Sequence, residues 1–146
     1  MIKLFFEYDN IQLTIDEKWI ESICILILNE NGHRNGNITF VFSNDNKLNK
    51  LKKEYFGEDI LTDTISFNLE EEGEPLDGEV YISIDRVLDN ANTFMQDFNL
   101  EFKRIVIHSC LHLLGYNDES KQEKIQMNKL EDMYLSKIVS SEVINQ

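Results

Sequence analysis

The run Leu100-Glu-Phe-Lys-Arg-Ile-Val-Ile-His108-Ser-Cys-Leu-His112-Leu-Leu114 reads as a helix whose second half is apolar nearly all round. Such a helix is expected inside a protein, covered by other elements, and not lying on its surface. Two of the three histidines in the chain, His108 and His112, sit within it, four residues apart. Both imidazoles therefore leave one face, one turn above the other. Gly115 follows and permits a left-handed helix end, so the chain can double back and carry Asp118 toward the same point. The resulting pattern is H-x3-H-x5-D.

Working outward from this helix, strand and helix periods alternate along the chain. Ile2, Leu4 and Phe6 have the period of a strand, as do Ile38, Phe40 and Phe42. Ile65, Phe67 and Leu69 share one face of a strand over Thr64 to Leu69; Val80, Ile82 and Ile84 mark the next, expected antiparallel to it. Thr14 and Glu17 have the spacing of a capping box. A helix face of Trp19, Ile23, Leu26 and Ile27 follows, with Gly32 as its stop. Leu48, Leu51 and Tyr55 fit a second helix ended by Gly57. Val87, Leu88, Ala91, Met95 and Phe98 fit a third, and Ile125, Leu130, Met133, Tyr134 and Ile138 a last, amphipathic one. The acidic run Glu70-Glu-Glu-Gly-Glu74 reads as a solvated loop. The expected class is α+β: a small, mixed, four-stranded sheet packed with about five helices.

The 146 residues are the length of one domain, spanning 1–146, and long enough to bury a core without staples. Cys24 and Cys110 lack CxxC spacing and each lies among apolar residues. They read as small buried hydrophobes. The run Ile23 to Leu28 is far below the roughly 20 residues that span a bilayer, and the N-terminus lacks a signal-peptide pattern. The expectation is a cytoplasmic protein with no membrane partner. Fourteen basic against 27 acidic side chains give a net charge of −13. That balance argues against nonspecific coating of nucleic acid by charge alone.

Two imidazoles and one carboxylate suit Zn²⁺, one per chain, on this buried helix. Three protein ligands leave a fourth position open, the mark of a catalytic site. Burying two polar rings without a shared purpose would be costly, which favours a metal site over histidines that merely pack in the core. The zincin motif H-E-x-x-H carries its general base directly after the first histidine; here that position is Ser109. His33 lies in the polar turn Asn31 to Gly36 and reads as a surface residue.

The segment His108-Ser-Cys-Leu-His112-Leu-Leu-Gly-Tyr-Asn-Asp118 resembles the hallmark H-G-x-L-H-L-x-G-Y-D-H of the YbeY family of bacterial endoribonucleases and ribosomal-RNA maturation factors. Thr62-Asp63-Thr64-Ile65-Ser66-Phe67 is similar to its T-D-x-x-S-F block, and Gly78-Glu79-Val80-Tyr81-Ile82-Ser83 to its third block, in the same order and spacing. The resemblance implies a zinc-dependent, single-strand-specific endoribonuclease. It implies work on the 3′ end of small-subunit rRNA and in ribosome quality control, with single-stranded RNA and ribosomal components as partners. Several positions depart from the family pattern. Asp118 stands where a histidine is usual, Ser109 where glycine is usual, and Phe56 where an arginine thought to meet RNA phosphate is common.

The expected metal ligands are His108, His112 and Asp118. Arg86 is the expected cation for phosphate charge, with Lys52 and Lys53 as nearby substitutes for the missing arginine. Asp63 is expected to orient a ligand or shape the cleft. Two rivals use the same zinc: a peptidase or amidohydrolase, and a nonenzymatic ribosome-assembly factor stabilised by the metal. A core-histidine protein without metal is a third.

Overall fold

In a computed structural model, residues 1–138 and 142–145 are described. The elements in chain order are β1 (Ile2–Tyr8), β2 (Thr14–Ile15), α1 (Glu17–Glu30), β3 (Gly36–Ser43), α2 (Asp45–Phe56), β4 (Thr64–Asn68), β5 (Leu76–Ser83), α3 (Ile84–Thr93), α4 (Phe98–Leu113), α5 (Lys121–Lys137) and β6 (Ile144–Asn145). The main sheet has the order β1-β3-β5-β4. β1, β3 and β5 run parallel, and β4 pairs antiparallel with β5, with Thr64 opposite Ile82 and Asn68 opposite Gly78. β2 and β6 form a small antiparallel pair. The fold is α+β with a mixed four-stranded sheet and five helices, as the periodicities indicate.

The period-2 alternation separates the two faces of the sheet. Ile38, Phe40, Phe42, Val80 and Ile82 enter the main core with α1, α3, α4 and α5. On the opposite face Ile65 packs with Leu48 and Leu51 of α2, flanked by Phe67 and Tyr81. α4 is the centre of the helical layer: Phe102, Val106, Ile107, Cys110 and Leu111 have no exposed surface. Cys24 and Cys110 are both free and buried. Burial and the neighbouring Cys110 side chain, which hydrogen-bonds it, hold the Cys24 thiol well above its ordinary pKa.

Several boundaries differ from the sequence expectations, each for a local reason. Asp16, not Thr14, caps α1 by accepting from the Trp19 N–H at 3.2 Å; Thr14 is taken up by pairing with Asn145. A capping box does occur, at Ser120 and Glu123 of α5. Ile84 opens α3 instead of ending β5, because Ser83 caps that helix. Met95 adopts φ 55° and is almost fully exposed, so the third helix ends at Thr93, and Phe98 belongs to α4, behind its cap Asp97. Leu69 lies beyond β4 and is exposed.

α4 sits on the sheet at one close contact. A Cβ placed on Gly78 of β5 would lie 2.8 Å from Leu113 Cδ1 and 2.9 Å from Cδ2. Leu113 is buried, so its side chain has little room to yield. Gly78→Ala is expected to cost about 1–3 kcal/mol of stability through overpacking, measured by denaturant unfolding.

Candidate metal centre

The polar face of β4 anchors the histidine helix. Thr64, Ser66 and Asn68 alternate with Ile65 and Phe67, and all three turn toward α4. Thr64 Oγ1 and Ser109 Oγ are 2.8 Å apart, and the Ser109 hydroxyl also donates to the Ile105 carbonyl at 2.8 Å. Ser66 donates to the Ser109 carbonyl at 3.3 Å, and Asn68 Nδ2 to the Leu113 carbonyl at 2.8 Å. The buried Ser109 is thus fully satisfied. Its hydroxyl is committed to β4 and the helix backbone.

At the end of α4, Gly115 takes φ 98°, a left-handed conformation that a Cβ would strain. The Tyr116 N–H returns to the Leu111 carbonyl at 3.1 Å and the Gly115 N–H to His112 at 3.0 Å, which closes the helix and reverses the chain. Asp118 arrives beside both rings. Its Oδ2 is 3.3 Å from His108 Nε2, and its Oδ1 is 3.4 Å from His112 Nε2. One potential ligand atom from each of the three residues lies within 4.8 Å of the others. The two rings meet edge to face at 4.5 Å between centroids.

A residue that sequence reading missed stands behind His108. Glu131 of α5 is only 3% exposed. Its Oε2 lies 2.6 Å from His108 Nδ1, and its Oε1 accepts from Arg104 at 2.9 Å. Arg104 also reaches Asp132 at 2.6 Å. Burial alone would lower the His108 pKa, but the Glu131 hydrogen bond and charge, with Asp118 and Asp63, hold it above its usual value. With Nδ1 engaged by Glu131, Nε2 is the nitrogen that faces Asp118 and His112. The signal was present in the sequence: Glu131 is an acid at buried helical spacing between Met127 and Tyr134.

Two clefts meet at this group. One, about 370 Å³, is lined by Asp63, His108, Asp118, Arg104, Lys124 and Glu131 among others. The second, about 430 Å³, is lined by Asp63, His108, His112, Asp118, Lys52 and Phe56 among others. Asp63 therefore borders both clefts. Burial raises its pKa, partly offset by the charge of His108.

The expected cations separate clearly. Arg86 borders neither cleft. Its guanidinium is held by Asp45 at 2.8 Å and Asp89 at 2.7 Å, and Asp45 also accepts from Ser83, so Arg86 ties the start of α3 to the start of α2. Lys53 pairs with Asp59 at 3.6 Å. Lys52 lines the larger cleft, with its Nζ 4.4 Å from the centroid of the Phe56 ring. Phe56 in turn stacks on Phe67, with centroids 6.0 Å apart. His33 is half-buried in a shallow hollow beside Tyr116 and takes no part in the group.

The donor set fits a divalent metal: two imidazole nitrogens and a carboxylate converge, and the second nitrogen of His108 is already fixed by a carboxylate. No described helix is long and apolar enough to cross a membrane. In comparison with known proteins, the profile described as Endoribonuclease YbeY matches residues 5–139. A protein named Endoribonuclease YbeY from Amoebophilus asiaticus is 46% identical over 99 residues, covering 68% of this chain and 67% of its own. One of the same name from Chlorobaculum tepidum is 36% identical over 131 residues, covering 90% and 95%. Among solved structures, the solution structure of TM1509 from Thermotoga maritima shares the fold, with TM-score 0.61 and 24% identity over 93% of this chain and 90% of that one. Fold, motif order and sequence identity agree, and the chain belongs to the YbeY endoribonuclease family.

Proposed function

We propose that residues 1–146 act as one zinc-dependent, single-strand-specific endoribonuclease domain, at the 3′ end of small-subunit rRNA and in ribosome quality control. The observation that carries this reading is the convergence of His108, His112 and Asp118 where two open clefts meet. Family membership supports RNA as the substrate, and the names of the relatives specify internal cleavage. The donor set favours zinc, since imidazole and carboxylate together suit a borderline cation.

When bound, zinc would supply Lewis acidity toward a phosphoryl oxygen and toward water. The protein's own groups then do the rest. The side chains of His108 and His112 are 20% and 28% exposed, so a phosphodiester must bend inward to reach them. An unpaired strand bends at lower cost than a duplex, which accounts for single-strand preference. Asp63, at the junction of the clefts, orients the attacking water by accepting its hydrogen bond. Of the expected cations, Lys52 opens on the cleft and holds RNA phosphate there, which Arg86 is not placed to do. A peptidase reading is disfavoured by Ser109: the position where a zincin holds its carboxylate base carries a hydroxyl turned into β4.

His112→Ala should lose bound zinc and lower single-stranded RNA cleavage by more than about 100-fold, beyond what loss of a supporting partner typically costs. Zinc content and gel-based cleavage check it; full activity in a zinc-free variant overturns the mechanism. Glu131→Gln should leave the fold intact but weaken zinc affinity by about 10–100-fold, because His108 loses its charged partner and must share the one remaining acceptor oxygen with Arg104. Chelator competition reads that affinity, and circular dichroism reads the fold.

A further inference from the structure

We propose that the two clefts are halves of one path for a single RNA strand. The scissile phosphate lies at His108, His112 and Asp118, and the flanking phosphates are held by Lys52 on one side and Lys124 on the other. The inference rests on the endoribonuclease reading and deepens it by assigning the groups that hold the strand.

The clefts share Asp63, His108 and Asp118, so they adjoin at the metal group, and their remaining lining residues lie on different elements. Each falls within the size range of ligand sites, at about 370 and 430 Å³. Neither is an enclosed cavity, so a strand following one and then the other need not present an end.

The distribution of free cations supports the path. Three basic residues line the clefts: Lys52, Arg104 and Lys124. Arg104 is committed to Glu131 and Asp132. Neither Lys52 nor Lys124 pairs with a carboxylate among the described residues, although acids outnumber bases by 27 to 14 along the chain. In so acidic a protein, one uncompensated ammonium at each arm of the cleft is a specific placement.

Lys52 is also held in place. Its ammonium rests on the Phe56 ring, and that ring is backed by Phe67. A partly exposed cation–π contact is weak enough for a phosphate to displace, yet it keeps the ammonium at the rim before the strand arrives. The junction itself is acidic, with Asp63, Asp118 and nearby Glu119. Positive charge therefore stands in each cleft, and a metal held by His108, His112 and Asp118 would offset the carboxylates between them.

The test uses zinc-loaded protein and a short, unstructured, fluorescein-labelled RNA. Anisotropy gives the affinity over a salt series, and cleavage is followed in parallel. Lys52→Ala and Lys124→Ala should each reduce the slope of log K against log salt by about 0.7, the value for one single-strand phosphate contact. The double variant should add the two effects, and Lys50→Ala, exposed on α2 outside both clefts, should change nothing. Shortening the RNA from one end should abolish the effect of one lysine only, and shortening from the other end that of the other, which also gives the strand's polarity. An unchanged slope in either variant, or loss of both effects on shortening one end, overturns the path. If the wild type fails to cleave RNA at all, the endoribonuclease reading falls; if it cleaves while the lysine variants keep its slope, only the strand path falls.

Discussion

Everything in this molecule is arranged around the need to bury α4. Phe102, Val106, Ile107, Cys110 and Leu111 of that helix have no exposed surface. α1, α3 and α5 cover it together with the sheet. The polar groups on the helix then divide into two kinds. Ser109 is covered, and its hydrogen bonds are met by Thr64 and Ile105. His108 and His112 lie where the cover is incomplete, between the β4 edge and α5. The candidate metal group is the gap in the burial of the helix, where both histidines remain reachable from solvent.

A second constraint is electrostatic. The Glu131 carboxylate is nearly removed from water, and a buried charge is tolerable only when paired and hydrogen-bonded. Its two partners are Arg104 and His108, both on α4. The same contacts that make the charge tolerable join α5 to α4 and choose which nitrogen of His108 faces the cleft. Packing and ligand orientation therefore share one set of bonds. A neutral residue at 131 would relieve the desolvation but would leave Arg104 and His108 short of an acceptor.

Much of this was legible in the residue pattern. Strand and helix periods located the four main strands and the five helices, and Gly115 announced the reversal that carries Asp118 to the histidines. What escaped has physical reasons. Thr64, Ser66 and Asn68 look like the solvent face of a half-buried strand, but they satisfy the backbone and hydroxyl of a helix packed on that face. The apolar period runs through Met95 and Phe98, but the backbone at Met95 is left-handed and divides two helices. Glu131 was read past because the pattern of α5 was followed through its apolar residues, some of which, such as Ile125, are exposed. Arg86 shows the limit of charge read along a chain: its two carboxylate partners are visible as partners only once α2 and α3 meet.

The net charge of −13 looks like an obstacle to an RNA-cleaving enzyme, and locally it is less of one. Charges more than about 8 Å apart across solvent are largely screened at physiological salt, so a phosphate in the cleft responds chiefly to the groups lining it. Those groups include Lys52 and Lys124 and, between them, a His108–His112–Asp118 group that could hold a metal ion. The remote acids still repel the rest of a long RNA. The balance favours a strand gripped over a few nucleotides at one place and disfavours coating along its length. For an endoribonuclease, this pairing of a repulsive body with a small cleft that carries cations limits where an RNA chain can bind. The overall charge then acts against contacts away from the cleft, and the groups lining the cleft decide what is held there.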